Sequence, residues 1–267
     1  MVKCQVVMDA LERIAPKRLA EDWDNPGLLV GALGQEVHKI LVCLDVSDAV
    51  VEQAVACGAD MIVAHHPLIF KGIRKLRTDL PLGRRLQQLL KHDIAVAAAH
   101  TNLDIAEGGV NDVLANLMGL TDIQPFAGKA EEGAEPTLGR IGYLPEAMSI
   151  EDFARQVKAA LPVDYVRLVK AGDKQVKKVA LCSGAGSEFI AKAAFLGADA
   201  YVTGDVKYHE AQQAVEMGIH VIDGGHFGTE FPVAAVLRDR LAGELSGLKG
   251  TVEVVTDTLS KDIFSVI

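Results

Sequence analysis

The segment Gly58-Ala59-Asp60-Met61-Ile62-Val63-Ala64 recurs 139 positions later as Gly197-Ala198-Asp199-Ala200-Tyr201-Val202-Thr203. In each copy a helical pattern ends at the glycine, and an apolar, strand-like run follows the aspartate. The same spacing places Val42-Cys43 on Leu181-Cys182, in the apolar run that precedes the helix. Because the order of the flanking elements also matches, the sequence predicts an internal duplication that gives two related α/β halves.

Apolar runs and helical patterns alternate around the first copy. Ser47 is expected to cap a helix over residues 48–57, and Gly58 is expected to end it. The alternation predicts a mostly parallel, layered α/β sheet with flanking helices, in which ligands gather beyond the carboxyl ends of the strands. The predicted strands are residues 40–44, 61–64 and 94–99, and a second helix is predicted at residues 82–92.

The second half repeats this arrangement after a polar connection. Residues 127–136 are polar, rich in glycine and without apolar periodicity, which predicts an exposed link and halves comprising residues 1–128 and 129–267. Ser149 is expected to cap a helix that ends at residue 160, with Asp152 in its first turn. The strands predicted here are residues 139–144, 165–169, 179–182 and 219–222.

Composition and charge exclude several classes of protein. The chain has 267 residues, with 27 basic and 36 acidic side chains, so its formal charge of −9 disfavours binding to nucleic acid. The apolar fraction of 49% is typical of a folded globular protein. The longest purely apolar run, residues 94–99, is far shorter than the roughly 20 residues that span a bilayer. Residues 1–15 predict an amphipathic helix and no signal peptide, and the scattered cysteines predict a cytoplasmic location.

In the first half, good metal-ligand side chains directly follow predicted strands. His65 and His66 come after the run 61–64, and Asp104 lies in the segment that follows 94–99. Two adjacent imidazoles on an extended chain point in opposite directions, so they are expected to serve two neighbouring ions rather than one.

A second group of ligand types follows the strand predicted at residues 219–222. A helix beginning near His226 would place that residue and Glu230 on one face, where a histidine and a carboxylate can share an ion. Gly224 and Gly225 would let the backbone approach an ion or an anionic ligand closely. Imidazoles and carboxylates together suit zinc, iron, manganese, cobalt or nickel better than calcium or magnesium.

Structural alternatives exist for these residues. Asp104 could cap the helix that is predicted after Gly109, and Glu230 could be a solvated acid in the first turn of a helix. Three other histidines lie in turns or beside helix ends and are predicted to be structural or solvent-facing: His38, His92 and His220.

Several neighbouring polar residues are candidates for orienting a ligand or contacting substrate. Thr101 lies close to Asp104 in sequence, and Asp45 ends the first predicted strand. Asp205 and His209 occupy the loop that the duplication pairs with the loop of the two adjacent histidines. Their alternatives are a helix cap for Asp205 and a helix-surface position for His209.

Five stretches, in order along nearly the whole chain, resemble the signatures of the Ngg-interacting-factor-three-like family. Members of this family are often described as GTP cyclohydrolase 1 type 2 homologues. The stretches are Trp23-Asp24-Asn25-Pro26-Gly27-Leu28-Leu29-Val30-Gly31, Ala64-His65-His66-Pro67-Leu68-Ile69-Phe70, His100-Thr101-Asn102-Leu103-Asp104, Thr203-Gly204-Asp205-Val206-Lys207-Tyr208-His209 and Gly225-His226-Phe227-Gly228-Thr229-Glu230.

The resemblance implies two related α/β halves, a dinuclear metal centre between them and a ring-shaped homohexamer. Some bacterial relatives carry an additional domain between the halves. The connection in this chain is too short for such a domain, which implies the short form of the family. Carried over by motif, the family's metal ligands fall on His65, His66, Asp104, His226 and Glu230.

These residues predict a dinuclear metal-dependent hydrolase. Two ions about 3.5 to 4 Å apart can hold a bridging water and present hydroxide to an electrophilic carbon or phosphorus. Glu230 is expected to bridge the ions, and His100 is expected to transfer protons as the catalytic residue. The alternative is a non-catalytic, metal-binding regulatory or scaffold protein that forms a homo-oligomeric ring.

The sequence says less about the substrate. A small molecule such as a nucleotide or a phosphoester is expected, and cyclohydrolase activity is implied only by the family resemblance. No glycine-rich phosphate loop of the P-loop or dinucleotide type is present in the sequence. Residues 184–187 could bind an anion at a helix N-terminus or form an ordinary tight turn.

Overall fold

The computed structural model describes residues 1–125, 137–247 and 250–267. The strands are β1 (Val2–Lys3), β2 (Gly27–Val30), β3 (Glu36–Val37), β4 (Lys39–Cys43), β5 (Met61–Ala64), β6 (Ala95–Ala98), β7 (Thr121–Pro125), β8 (Arg140–Met148), β9 (Arg167–Val169), β10 (Val176–Leu181), β11 (Ala200–Thr203), β12 (His220–Asp223) and β13 (Glu253–Thr256). The helices are α1 (Cys4–Ile14), α2 (Asp48–Cys57), α3 (Pro81–Lys91), α4 (Thr101–Ile105), α5 (Val110–Leu117), α6 (Ile150–Ala160), α7 (Ile190–Phe195), α8 (Tyr208–Met217), α9 (His226–Glu230) and α10 (Val233–Leu245).

The chain forms two compact units. The first comprises Met1–Ala106 and Val233–Lys261, and the second comprises Glu107–Pro232 and Asp262–Ile267. These bounds differ from the predicted halves 1–128 and 129–267, because α10 packs against α1 and β13 pairs with β4, which returns the end of the chain to the first unit. The connection predicted at residues 127–136 lies outside the described residues.

The first unit is built on a five-stranded sheet in the order β13-β4-β5-β6-β2. β13, β4, β5 and β6 are parallel, and β2 pairs antiparallel with β6 at one edge. Side chains of the central strands, such as Val42, Ile62 and Val96, are fully buried. Both faces of a parallel sheet are covered, so these strands lack polar alternation. The predicted mostly parallel sheet with flanking helices is confirmed here.

The second unit is built on a six-stranded mixed sheet in the order β7-β8-β10-β11-β12-β9. Its centre, β10, β11 and β12, is parallel. β8 and β9 pair antiparallel on either side of these strands, and β7 extends the sheet beyond β8. Phe153 of α6 and Val202 of β11 belong to the apolar core on one face of this sheet. The second unit therefore has the expected α/β character, with more antiparallel pairing than the first.

Local signals place the helix ends where the sequence predicts them. The Ser47 hydroxyl accepts a hydrogen bond from the Val50 amide at the start of α2, and Gly58 ends that helix with φ 67°. The Ser149 hydroxyl accepts from the Asp152 amide at the start of α6. These caps satisfy amide and carbonyl groups that a helix leaves without intrahelical partners.

The N-terminal segment forms the amphipathic helix that its sequence predicts. In α1 the buried face consists of residues spaced three or four apart, including Val7, Leu11 and Ile14. Across the described ranges, the helices are all too short or too polar to cross a membrane.

Candidate metal centre

His65 and His66 extend the ladder of β5 beyond its last strand residue. Their amides donate to the carbonyl oxygens of Cys43 at 3.1 Å and Leu44 at 2.9 Å. The side chains do not diverge as on an extended strand, because the backbone bends directly after Ala64. Their ring centroids lie 4.9 Å apart, so the expectation that the two imidazoles point in opposite directions is wrong.

A third histidine completes this cluster. His65, His66 and His100 each offer a ring nitrogen, and these three atoms lie within 4.8 Å of one another. His100 directly precedes α4, at the carboxyl end of β6, which is the neighbour of β5 in the sheet. The structure therefore brings the predicted proton-transfer residue together with two predicted ligands in the first unit.

Each of these rings is held through Nδ1 by an oxygen atom. His65 Nδ1 lies 2.9 Å from the carbonyl oxygen of Ala99, which can only accept, so this nitrogen carries the proton. His66 Nδ1 lies 2.8 Å from Oδ1 of Asp45. When Nδ1 donates, the neutral ring presents the lone pair of Nε2, which is the usual preparation of a histidine for a metal ion. Asp45 thus has the orienting role that its position suggests.

Asp104 faces His65 from within α4. Its Oδ1 atom lies 3.5 Å from His65 Nε2, and both side chains are buried. A nitrogen lone pair and a carboxylate oxygen at this distance are both electron-rich, so a proton or a metal ion between them would be stabilising. The alternative that Asp104 caps the following helix is not observed, since the capping position of α5 is Gly109.

Asp24 is the partner of His100. Its fully buried carboxylate lies 2.8 Å from His100 Nδ1 and accepts from the Thr101 amide at 3.0 Å and the Thr101 hydroxyl at 2.5 Å. Burial by itself raises the pKa of Asp24, but the hydrogen bonds from His100 and Thr101 outweigh it and lower the pKa to about 2. An ionised Asp24 therefore fixes both the ring of His100 and the start of α4.

Sequence reasoning missed the roles of Asp24 and Asn102. Asn102 is buried, accepts from the His100 amide at 2.8 Å and donates to the Ala15 carbonyl at 2.7 Å. Both residues lie in stretches that carry the family resemblance, and this was the one sequence feature that could have drawn attention to them. Their contacts span 76 and 87 positions of chain and could not be read from local spacing.

In the second unit, α9 begins at His226 and ends at Glu230, as the spacing predicts. His226 Nε2 lies 3.1 Å from Glu230 Oε2, so the two side chains share one side of a single helical turn. Glu230 is only 4% exposed, which excludes the alternative of a solvated first-turn acid. Gly225 directly before the helix has φ 74°, a conformation that favours glycine.

Asp205 orients His226 as Asp45 orients His66. Its Oδ2 atom lies 2.8 Å from His226 Nδ1, while the capping position of α8 is Lys207, so Asp205 is not a helix cap. Buried Asp223 supports this arrangement, because its carboxylate accepts from the amides of Val206 at 3.0 Å and Gly225 at 2.9 Å. Sequence reasoning did not single out Asp223.

The loop that starts at Gly184 packs against Glu230. A Cβ atom on Gly184 would lie 2.1 Å from Glu230 Oε1, and the φ of +60° also favours glycine. The amides of Gly184 and Gly186 donate to the hydroxyl oxygens of Thr229 and Thr203. These two amides are therefore already satisfied within the protein, while the chain bends at residues 184–185 and a 3₁₀ helix begins at Ser187.

His38, His92 and His220 have the structural or surface positions expected for them, and His209 has the helix-surface position that was its alternative. His220 is 1% exposed, accepts from the Ala171 amide through Nδ1 and contacts the Lys174 carbonyl oxygen through Nε2. His209 lies exposed on α8. His92 is the C-cap of α3, and His38 lies between β3 and β4.

A cavity of about 240 Å³ adjoins His66 in the first unit. Its lining includes Asp45, Ser47, Pro67 and Arg85. Its volume suits part of a small molecule rather than a whole nucleotide. The first unit therefore combines a histidine and carboxylate cluster with space for a ligand beside it.

Comparison with known proteins identifies the family of this chain. The family described as Duf34/NIF3 (NGG1p interacting factor 3) matches residues 2–262. A Clostridium perfringens protein named GTP cyclohydrolase 1 type 2 homolog is 34% identical over 266 residues, which cover 100% of both chains. A Halalkalibacterium halodurans protein of the same name is 31% identical over 367 aligned positions, covering 98% of each chain.

The relatives differ in length, and the structural likeness is close. The Halalkalibacterium halodurans alignment is longer than this chain, so that relative contains residues with no counterpart here, whereas the Clostridium perfringens protein matches end to end. The crystal structure of a Bacillus cereus protein related to NIF3 is similar with a TM-score of 0.92 and 29% identity, covering 100% of this chain and 99% of that chain. The chain therefore belongs to the Duf34/NIF3 family, in its short form.

Proposed function

We propose that this protein is a metal-dependent hydrolase that holds two divalent transition-metal ions through His65, His66, Asp104, His226 and Glu230. The observation that carries the proposal is the way in which hydrogen bonds at Nδ1 orient the histidine rings for binding a metal ion through Nε2. In both units a ligand histidine is bound at Nδ1 by a carboxylate, and Nε2 of His65 and of His226 faces a buried carboxylate oxygen. Such outer partners fix ring orientation and raise ligand basicity in metal sites.

The donor set fits the proposed ions. Three imidazoles and two carboxylates match the preferences of zinc, iron, manganese, cobalt and nickel, among which the ligands alone do not choose. Five protein ligands for two ions leave coordination positions for water or substrate. When bound, such ions supply Lewis acidity that polarises a substrate oxygen and lowers the pKa of water towards neutrality.

His100 is the proposed proton-transfer residue. Its Nδ1 atom is held by Asp24, whose pKa of about 2 keeps the carboxylate ionised at neutral pH. The ring therefore presents Nε2 towards the cluster of His65 and His66. There Nε2 can accept a proton from the reacting group and later return it. Asp24 acts through His100 as a positioning residue.

The substrate proposed is a nucleotide or a related phosphoester-like small molecule. Relatives that match the whole chain are named GTP cyclohydrolase 1 type 2 homologs, which supports a nucleotide class without specifying the reaction. The cavity beside His66 is large enough for part of such a molecule. A homohexameric ring, expected from the family resemblance, is part of the proposal and is tested by light scattering of the purified protein.

Elemental analysis tests the metal assignment. Protein purified without chelator or affinity metal is expected to contain about two transition-metal equivalents per chain. The double variant His226→Ala, Glu230→Ala should lose most of this metal, and the control His209→Ala should retain it. Metal at background level in the native protein, under conditions that exclude loss during handling, would refute the two-ion proposal.

A comparison of single variants tests whether the two ligand groups serve the same pair of ions. If they do, His65→Ala and His226→Ala should each weaken binding of both equivalents, measured by competition with a chromogenic chelator. Loss of one equivalent in each variant, with the other bound at native affinity, would instead show two independent single-ion sites.

Turnover distinguishes the hydrolase from a metal-binding scaffold. A panel of nucleotides and phosphoesters is screened with the metal restored, and His100→Gln should reduce kcat by about 100-fold while metal content is kept. Metal removal in a scaffold would chiefly change assembly or melting temperature. A native protein that binds two ions and turns over no member of the panel at any metal tested would favour the scaffold.

A further inference from the structure

Trp23 and Phe70 form an exposed aromatic pair at the edge of the histidine cluster in the first unit. Trp23 is 58% exposed and Phe70 is 41% exposed, although side chains of this size are usually well buried. Their ring centroids lie 5.9 Å apart. Each also contacts His100, with centroid distances of 6.1 Å for Trp23 and 6.2 Å for Phe70.

Partly buried hydrogen bonds hold the segments of the two rings in place. Asn25 donates through its side-chain amide to the Ile69 carbonyl at 2.6 Å, which links the segment of Trp23 to the segment of Phe70. Asp24, next to Trp23, has a fully buried side chain bound to His100. Two exposed rings on anchored backbone lose little conformational freedom when a ligand binds, which favours binding.

The two rings are not stacked on each other or on His100, and both remain partly exposed. The planes of Trp23 and Phe70 are inclined by 57°, and they meet the His100 ring at 76° and 84°. None of these contacts is a parallel stack. By contrast, Phe227 and Phe231 in the second unit stack on each other at 21° and 4.6 Å, so their facing surfaces are already covered.

We infer that Trp23 and Phe70 bind the planar heteroaromatic ring of the substrate by stacking, and so determine specificity for substrates that contain such a ring. This inference rests on the proposed function, because it places the ring beside the residue proposed to move the proton. Stacking on aromatic side chains tolerates different bases, since each has a π face. A second copy of the chain is the other occupant that such a pair could have, and the experiment distinguishes the two.

Fluorescence provides a direct test, because Trp23 is the only tryptophan in the chain. The full-length protein, first metal-free and then loaded with zinc, is titrated with guanosine 5′-monophosphate. Ribose 5-phosphate, which has the same anionic group and no aromatic ring, is the matched ligand control. Saturable quenching by the nucleotide and none by the sugar phosphate is expected in both forms of the protein.

Variants test the contribution of each ring. Phe70→Leu should raise the dissociation constant from fluorescence about tenfold, and Trp23→Leu should do so by calorimetry. Phe195→Leu, a control at a 90% exposed aromatic on α7, should leave the constant unchanged. Circular dichroism of each variant confirms that the fold is retained.

Three results would overturn the inference. They are absence of saturable quenching, equal quenching by ribose 5-phosphate, or a dissociation constant that is unchanged in folded Phe70→Leu. A shift of tryptophan emission on dilution without ligand, together with a smaller assembly in Trp23→Leu, would assign the pair to an interface between copies. Because binding is measured without turnover and also without metal, failure of the hydrolase proposal alone would leave saturable quenching in place.

Discussion

The two units build their central strands in the same way and give the following loops different chemistry. In the first unit, the carboxylate of Asp60 accepts hydrogen bonds from the amides of His38 and Lys39. In the second unit, Asp199 accepts from the two amides that lie 139 positions further along, those of residues 177–178. The repeated aspartate therefore joins the turn before one strand to the start of its neighbour in both units.

Strand register and turn conformation repeat with the same spacing. Ile40 pairs with Met61 across β4 and β5, and Val179 pairs with Ala200 across β10 and β11. The glycines that end the preceding helical segments have φ values of 67° and 75°. This agreement in strand register, turn conformation and side-chain hydrogen bonds supports the predicted duplication more strongly than the similarity of the two seven-residue segments does alone.

The difference begins one residue after the strands end. The positions of His65 and His66 in the first unit correspond to Gly204 and Asp205 in the second. A Cβ atom on Gly204 would lie 2.7 Å from backbone atoms of the segment that leads into α9, and Asp205 holds His226. The buried strands and the repeated aspartate form a frame that both units share. The loop after the strand carries proposed ligands in the first unit and a residue that supports a proposed ligand in the second.

The strongest test of the shared frame removes the repeated aspartate. Asp60→Ala and Asp199→Ala each leave two strand amides without their acceptor, so each should lower the free energy of unfolding by about 3 kcal/mol in urea denaturation. The control Asp173→Ala removes an exposed carboxylate and should leave the free energy of unfolding nearly unchanged. A substantial loss in only one of the two aspartate variants would show that the frames are not equivalent.

Gly184→Ala tests the difference between the units. Gly184 corresponds by the repeat to Asp45, and any side chain there collides with Glu230. The displaced carboxylate should weaken metal binding by about 10- to 100-fold, as measured by chelator competition. Gly197→Ala introduces backbone strain at φ +75° without a nearby atom, so it should lower stability by about 1 kcal/mol and leave metal affinity unchanged. Native metal affinity in Gly184→Ala would exclude Glu230 as a ligand.

The two supporting carboxylates allow a smaller, matched comparison. Asp45→Asn and Asp205→Asn keep an acceptor beside Nδ1 of His66 and His226 but remove its charge. Each should reduce metal affinity about tenfold, and Asp79→Asn, at an exposed ion pair with Arg77, should not. Unequal effects would mean that the two histidines do not depend on their carboxylates alike.

The smallest expected effect concerns pH. Burial raises the pKa of Asp199, but the ion pair with Lys174 and the amide hydrogen bonds outweigh it, so the pKa lies below the usual aspartate value of about 3.9. A lowered folded-state pKa means that the contribution of Asp199 to stability is complete above that usual value and is lost as pH falls through the folded pKa. The stability difference between the native protein and Asp199→Asn should therefore shrink below about pH 4 in denaturation curves. A constant difference down to acid unfolding would contradict this linkage.

Local sequence determined much of the fold prediction. The helix over 48–57 was predicted to the residue, because Ser47, Gly58 and the apolar period act within one segment. The edge strands β2 and β13 were harder, since each pairs with a strand that is distant in sequence. The return of β13 to β4 joins residues more than 200 positions apart and has no local signal.

The candidate site shows the same limit. Residue type and position after strands selected the five proposed ligands, and the i, i+4 spacing of His226 and Glu230 predicted their shared face. The proximity of His65 and His66 was missed, because the bend after Ala64 departs from strand geometry. The partnership of Asp24 with His100 depends on tertiary packing rather than spacing.

The return of β13 also affects the order in which the chain can fold during synthesis. The sheet of the second unit uses strands between Thr121 and Asp223 only, so all of them have been made before β13 is synthesised. The sheet of the first unit keeps one edge of β4 open until Glu253–Thr256 has left the ribosome. The sheet of the unit that begins first is therefore completed last. A ribosome stalled before residue 253 would expose an unpaired parallel edge to chaperones or to neighbouring nascent chains.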